Sequence, residues 1–230
     1  MAKFTPGALV GQISGSVGGT TFSHNRNGPY MRRRAVPVTS TTAPALAAKA
    51  AFAAGSTAWQ AMAAADKLAW NAWALVNPVI NSLGQAQTLT GHQAYTGLFA
   101  RGTKLALTPP ALPPLIPAPS PLVTLTQSCD IGAGTFDLTF SSTPLGADKS
   151  LWIKGSVVDS VGINYVQNLL RYCGTSAAAQ ASPYDHQARI EGIFGTLIED
   201  QYVHVEVMVF DQTTCLLSPP LGQKTIVLDT

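Results

Sequence analysis

The segment "YVHVEVMVF", residues 202–210, places a valine at every second position. In a β-strand successive side chains point to opposite faces of the sheet. One face of this segment therefore carries only valines: Val203, Val205, Val207 and Val209. The pattern predicts a strand whose valine face lies in a protein core.

Six more short runs rich in Val, Ile, Thr and aromatic residues lie in the same half of the chain. They are "LVTLTQ" (122–127), "TFDLTF" (135–140), "SLWIKGSVV" (150–158), "INYVQNLL" (163–170), "RIEGIF" (189–194) and "KTIVLD" (224–229). About seven strands in about 110 residues are typical of an antiparallel β-sandwich of the immunoglobulin or fibronectin type III kind. We expect this sandwich over residues 122–230, with Cys129, Trp152 and Cys173 in its core.

Residues 43–107 have the composition of a small helical hairpin or bundle. They are rich in Ala, Leu, Lys, Gln and Met, which are strong helix formers. We expect one helix after Thr42, a second from about Asp66 to the stop at Asn77-Pro78, and a third within residues 89–107. The side chains expected to pack these helices together are Phe52, Trp59, Trp70 and Trp73.

A proline-rich segment, "TPPALPPLIPAPSP" (108–121), separates the helical part from the strand part. It has seven prolines in fourteen positions, so it cannot form a helix or a central strand. We expect a stiff polyproline II linker that holds the sandwich away from the helices.

The first 42 residues predict a glycine-rich β-meander or extended arm. Weakly alternating apolar residues are interrupted by Gly18-Gly19 and by "NRNG" (25–28). Gly-Gly and Asn-Gly dipeptides are suited to tight hairpin turns. The arm also carries a basic cluster beside one aromatic residue: Arg26, Tyr30, Arg32, Arg33 and Arg34. A glycine-rich segment loses much conformational entropy when it becomes ordered. We therefore expect the arm to become ordered only against a partner surface.

Two kinds of partner suit the basic cluster. Arginines beside a stacking tyrosine bind nucleic acid phosphates and bases. Alternatively, the arginines alternate along a strand and pair with acids of neighbouring subunits. We favour contact between protein subunits, with nucleic acid as the less favoured partner.

Composition and charge distribution also point to an assembly. Only 11% of the residues are charged, compared with roughly 25% in average soluble proteins. Residues 1–107 contain nine Lys or Arg and a single acid, whereas the remaining residues contain five basic residues and eleven acids. Segments of opposite sign suggest head-to-tail packing of copies or a basic end that lies on an acidic surface, and we expect a homo-oligomer.

Residues that could support catalysis or metal binding are sparse. The four histidines lack any recognisable catalytic motif, and the three cysteines form no CxxC or CxxH pair. We expect buried free thiols, with a Cys173–Cys215 disulfide as the alternative. A site at His204 and Glu206, or at Asp185-His186, is less favoured than a solvated strand face and a loop. We therefore interpret the chain as a non-enzyme without metal or cofactor; a cleft gathering His204, Glu206 and Asp185 would indicate the opposite.

Residues from about 7 to 100 resemble a known group of proteins. From Gly11 the chain reads "GQISGSVGGTTFSHNRNGPYMRRRAVPVTSTT", then a helix, then "STAWQAM" and "DKLAWNAWA". An SGxxGG segment, an aromatic residue, a glycine, arginines and a Trp-containing second helix in this order resemble small proteins encoded by tailed bacteriophages. Members of that group are regarded as structural proteins of the virion.

The resemblance implies a virion protein that is assembled in the host cytoplasm and contacts other virion proteins. We expect it to be capsid-associated, as a decoration, cement or minor head protein, rather than a tail or fibre component. The alternative is a surface-binding module whose sandwich contacts a host glycan or protein. Exposed aromatic residues such as Tyr165, Tyr184 or Tyr202, grouped on one sheet face, would support it. No membrane association is expected, because the chain has no run of about 18 apolar residues.

Overall fold

The described part of the chain combines four α-helices with three β-sheets, which confirms the predicted α+β class. The computed structural model describes residues 2–3, 13–25, 28–35, 39–80, 85–141, 143 and 145–229. The chain divides into two compact units, Met1–Leu46 and Ala47–Thr230. None of the helices in these ranges combines the length and the apolar character needed to cross a membrane.

The N-terminal unit contains a four-stranded antiparallel sheet with the strand order β1-β4-β3-β2. Its strands are β1 (Ala2–Lys3), β2 (Gly15–Val17), β3 (Thr20–Asn25) and β4 (Gly28–Arg33). Gly18 and Gly19 form the two-residue turn between the paired residues Val17 and Thr20. Gly18 adopts a φ of 55° there, a left-handed conformation that glycine reaches at little cost. The β-meander expected from the glycine pairs is therefore present in β2 to β4.

Three helices and a short hairpin follow. The helices are α1 (Ala43–Ala61), α2 (Ala64–Val76) and α3 (Gly91–Lys104), and the hairpin joins β5 (Val79–Ile80) to β6 (Ala86–Gln87). Helix α2 ends before Asn77-Pro78, as expected. Helix α3 begins with a capping box, in which the Thr90 side chain accepts from the Gln93 backbone and the Gln93 side chain accepts from the Thr90 backbone.

The C-terminal part forms a curled, mostly antiparallel seven-stranded sheet with the order β10-β9-β12-β13-β7-β8-β11. Its strands are β7 (Leu125–Asp130), β8 (Thr135–Phe140), β9 (Lys149–Val158), β10 (Arg171–Thr175), β11 (Tyr184–Asp185), β12 (Tyr202–Asp211) and β13 (Leu221–Leu228). Strand β13 pairs antiparallel with β12 up to Ile226 and then parallel with β7 at Val227 and Leu228. This change of partner connects the two halves of the sheet.

Two of the predicted strands are wrong. Residues 163–170 form a loop, in which the backbone N–H groups of Leu169 and Leu170 donate to the nearby Val166 carbonyl oxygen instead of to a neighbouring strand. Residues 189–194 lie in helix α4 (Gln187–Phe194). Ile190 is fully buried and Phe194 packs against the same core. A spacing of four residues suits one face of a strand or of a helix, so this short run was ambiguous in sequence.

The first core cluster lies along the valine face of β12. Val203, Val205, Val207 and Val209 are at most 3% exposed, which confirms the predicted alternation. Their partners come from both halves of the sheet and include Phe136 and Leu138 of β8 and Leu151 and Ile153 of β9.

The second core cluster joins helices α2 and α3 to the opposite face of the sheet. Trp70 and Tyr95 of the helices pack together with Trp152, Met208 and Phe210 of β9 and β12. Trp152 is therefore buried as expected, but it lies on the face that the helices cover. The expectation that the linker holds the strand part away from the helices is wrong.

The proline-rich segment takes part in this packing. The indole N–H of Trp70 donates to the carbonyl oxygen of Ala111 at 3.1 Å. At the end of α3, the ammonium of Lys104 lies 3.2 Å from the centre of the Tyr172 ring. Arg101 donates to the carbonyl oxygen of Cys215 at 3.4 Å. Residues 47–230 consequently form one packed unit rather than two domains separated by a spacer.

Candidate functional site

The sheet of the N-terminal unit has no buried side chain in its described part. Among residues 13–24, 28–35 and 39–46, every residue is either half-buried or exposed. The half-buried residues of β3 and β4 include Phe22 and Tyr30, whereas Arg32, Arg33 and Arg34 are exposed. In these ranges the sheet therefore has backbone pairing without buried side chains.

The strand register divides the predicted arginine cluster between two faces. Tyr30 pairs with Ser23 and Arg32 pairs with Thr21, and directly paired residues of antiparallel strands share a face. Met31 and Arg33 lie on the other face, where Met31 is opposite Phe22. Each face of β4 thus carries one arginine of this pair, Arg32 beside Tyr30 and Arg33 beside Met31.

The ladder continues beyond β4, because the backbone N–H of Arg34 donates to the carbonyl oxygen of Gly19 at 2.8 Å. Arg34 therefore follows the alternation and shares a face with Tyr30 and Arg32. We call Tyr30, Arg32 and Arg34 the basic face. Alternate residues of a strand are about 6.8 Å apart, so the two guanidinium groups are presented at a regular spacing. Arg26, the remaining member of the predicted cluster, lies outside the described residues.

No acid neutralises these arginines within their own unit. Residues 1–46 contain five Lys or Arg and not one Asp or Glu. Arginine stays charged at any physiological pH, and its planar group binds carboxylates and phosphates through two parallel hydrogen bonds. The basic face is therefore chemically suited to an anionic surface outside the N-terminal unit.

The four predicted helix-packing residues have different surroundings. Trp70 is fully buried, and its ring lies 5.3 Å from that of Tyr95 and 5.7 Å from that of Trp73. Trp73 and Trp59 are half-buried and pack against the same cluster.

Phe52 does not pack as expected, because its side chain is 57% exposed. The buried face of α1 instead contains Ala51 and Gly55. A Cβ atom at Gly55 would lie 3.2 Å from the Phe99 ring, so α1 approaches α3 closely at this point. Phe52 follows Ala51 by one residue and points about 100° away from that face.

Asp185 and His186 do not form an acid–base pair. The Asp185 carboxylate accepts hydrogen bonds from the backbone N–H groups of Phe136 and Gln187. His186 is buried, its ring stacks on that of Phe136 at 4.3 Å, and its Nδ1 bonds the Phe136 carbonyl oxygen. Burial lowers the pKa of His186 to about 4, against the opposing effect of that carbonyl. Both residues therefore hold β8, β11 and α4 together.

His204 and Glu206 share one face of β12, as predicted, but Asp185 is not near them. Strands β13, β7 and β8 lie between β12 and β11. Glu206 accepts a hydrogen bond from Gln167 at 2.8 Å and lies 3.5 Å from the Lys154 ammonium. Gln167 and Lys154 were missed in sequence, because only the strand register and the path of a loop bring them to Glu206.

The three cysteines are free thiols, and the described residues contain no cluster of metal-ligating side chains. Cys129, Cys173 and Cys215 are buried and free, which confirms the favoured prediction over a Cys173–Cys215 disulfide. Burial raises the pKa of Cys129 and of Cys173 to about 11, so these thiols stay protonated at neutral pH. Within the described ranges, no group of three or more His, Cys, Asp or Glu side chains is placed to hold a metal ion.

The sequence matches no known protein-family model, and no curated protein matches it significantly. Its function is therefore inferred from the residues and their geometry.

Proposed function

We propose that the chain is a non-enzymatic structural protein of a tailed-bacteriophage virion, associated with the capsid as a decoration, cement or minor head protein. One observation carries the proposal. The N-terminal sheet has no buried residue among its described side chains, and residues 1–46 contain no acid. The side chains of this sheet can therefore contact a partner protein.

The physical argument rests on conformational entropy. Ordering a residue costs about 1–2 kcal/mol of backbone entropy, and small sheets without a packed face are marginally stable in water. Backbone hydrogen bonds alone offset little of that cost, since they replace hydrogen bonds to water. A neighbouring subunit that covers one face of the sheet supplies the missing burial.

The partner surface should be acidic, because the basic face presents Arg32 and Arg34 without an acid of its own unit. Within this proposal the partners are major capsid subunits or other virion proteins that present such a surface. Neighbouring copies of this chain also qualify, since residues 108–230 contain eleven acids against five basic residues. Nucleic acid remains the less favoured partner, because the alternation places Arg33 on the opposite face from Arg32 and Arg34.

Within this proposal the seven-stranded sheet is an immunoglobulin-like sandwich. Strands β10, β9, β12 and β13 form one half, strands β7, β8 and β11 form the other, and the parallel β13–β7 pair connects them. Side chains from both halves contribute to the first core cluster. Two sheets packed over one common core are the defining feature of that architecture.

A tail or fibre component, or a surface-binding module, is the second candidate. It is favoured by Tyr165, whose side chain is 75% exposed on the loop between β9 and β10. An exposed tyrosine on a loop at a sheet face is suited to contact a glycan or a protein.

The test is quantitative mass spectrometry of purified particles of the phage that encodes the chain. A copy number equal to, or a simple fraction of, that of the major capsid subunit supports the decoration role. A handful of copies per particle assigns the chain to the neck or tail, and absence from the particle contradicts the proposal.

A matched pair of variants tests the arm. Arg32→Ala and Arg33→Ala remove the same charge from opposite faces of β4. Arg32→Ala should lower incorporation into particles more than Arg33→Ala. Equal losses would show that net charge, and not the basic face, controls incorporation.

A further inference from the structure

A groove of about 280 Å³ lies on the sheet face opposite the valines, beside the loop that joins β9 to β10. Gln167 and Leu170 of the loop form one wall, and His204, Glu206 and Gly222 of β12 and β13 line the other side. Gly222 pairs with Glu206 and contributes no side chain. A Cβ atom at position 222 would have its nearest neighbours at 3.9 Å, so the groove has room for added atoms there.

The polar groups of the groove are held in place by one another. The Glu206 side chain is only 14% exposed, and its two oxygens contact Gln167 at 2.8 Å and Lys154 at 3.5 Å. Each carboxylate oxygen has two lone pairs, so each retains acceptor capacity. The Lys154 ammonium and the Gln167 amide likewise retain N–H donors. The groove therefore offers fixed acceptors and donors side by side.

Charge selects the class of ligand. An anion would be repelled by Glu206, and a cation would be repelled by Lys224, which lines the groove, and by Lys154, whose ammonium lies 3.5 Å from the Glu206 carboxylate. His204 adds no charge at neutral pH, because burial and then the Lys224 cation lower its pKa. A hydroxyl group both donates and accepts, so it matches adjacent acceptors and donors without a charge.

The walls add an apolar surface to this arrangement. Val166 and Leu170 also line the groove. We propose that the groove binds a neutral saccharide unit, with its hydroxyl groups on Glu206 and Gln167 and its C–H surface against Leu170. The inference does not depend on the virion assignment, because it concerns the isolated chain.

The ligand can extend beyond one sugar unit. Lys224 also lines a second, wider groove of about 610 Å³, together with Asn164 and Tyr202. The Lys224 ammonium is fixed by the Val161 carbonyl at 2.6 Å and lies 4.8 Å from the centre of the Tyr202 ring. A second sugar unit would thus meet an amide and an aromatic side chain.

The test is NMR titration of the full chain with the methyl glycosides of glucose, galactose, mannose and N-acetylglucosamine. At least one should shift the backbone signals of Gln167, Glu206 and Gly222 in a saturable manner, with a Kd of about 1 mM. Gly222→Leu fills the groove and should weaken binding about tenfold or more. Gly192→Leu adds the same side chain to α4, where the space around the glycine is open, and should leave binding unchanged.

Three outcomes would overturn the inference. They are the absence of a saturable shift with all four glycosides, equal binding by the wild type and Gly222→Leu, and tighter binding of inorganic phosphate or calcium chloride at the same signals. Since these measurements use the isolated chain, their failure would leave the particle composition experiment unaffected.

Discussion

Strands β4 and β12 have similar pairing and opposite burial. Each is paired on both sides, β4 with β1 and β3, and β12 with β9 and β13. In β12 the alternate valines from Val203 to Val209 are at most 3% exposed, whereas none of the β4 residues is buried. The comparison shows that backbone pairing sets the shape of a sheet and that side-chain burial supplies most of its stability.

The difference follows from the residues at alternate positions. β12 sends valine to one face and Tyr202, His204, Glu206 and Met208 to the other. β4 places arginine on both faces, at Arg32 and Arg33. A strand with a charge on each face has no side that can enter an apolar core. We therefore expect this sheet to depend for its stability on an external polar or acidic surface.

The largest expected effect compares two phenylalanines. Phe210 of β12 is fully buried, so Phe210→Ala should lower the free energy of unfolding by about 3–5 kcal/mol. Phe22 of β3 is half-buried in the N-terminal sheet, and Phe22→Ala should change the main unfolding transition by less than about 0.5 kcal/mol. Urea unfolding of both variants measures these free energies. Similar decreases for the two variants would contradict the claim that burial differs between the two sheets.

A pH experiment sharpens the comparison, because the N-terminal sheet has no buried titratable group in its described part. His186 is buried and its pKa is lowered to about 4, below the ordinary value of about 6.5. The unfolded state binds the proton first, so stability is intact above pH 6.5 and falls as the pH is lowered to 4. The expected loss is roughly 3 kcal/mol.

The control for this experiment is His186→Phe, which keeps a ring beside Phe136 and removes the titration. Unfolding by urea at several pH values should give a flatter curve for His186→Phe than for the wild type between pH 6.5 and 4. Parallel curves would show that the buried imidazole does not control acid stability.

The smallest expected effect distinguishes two glycines of α3. A Cβ atom at Gly91 would lie 2.7 Å from the Asn71 backbone nitrogen and 2.9 Å from the Trp70 backbone carbon. Gly91→Ala should therefore destabilise the helical packing by about 1–3 kcal/mol. Gly97 has open space around it, so Gly97→Ala should stabilise the helix by about 0.5–1 kcal/mol. Thermal unfolding of both variants checks the two signs, and a stabilising Gly91→Ala would contradict the close approach of α2 and α3.

Several elements were predictable from sequence because local pattern determines them. The valine alternation of β12 and the proline stop after α2 are examples. The helical structure of residues 189–194 was not predictable, because a short apolar run fits the period of a strand as well as that of a helix.

The long-range arrangement was not predictable either. In an alanine-rich helix nearly every face is apolar, so the pattern could not show that α1 buries Ala51 and Gly55 and exposes Phe52. Proline composition indicates a stiff segment, but not that its Ala111 carbonyl accepts from Trp70. The arginine cluster was visible in sequence, and its division between two faces required the register of β3 and β4.

Amide hydrogen exchange of the isolated chain tests the central claim most directly. Amides of residues 15–25 and 28–33 should exchange with opening free energies near zero, while those of residues 203–209 should exchange only with global unfolding. Protection of the N-terminal strands equal to that of β12 would contradict the claim that this sheet depends on a partner for its order.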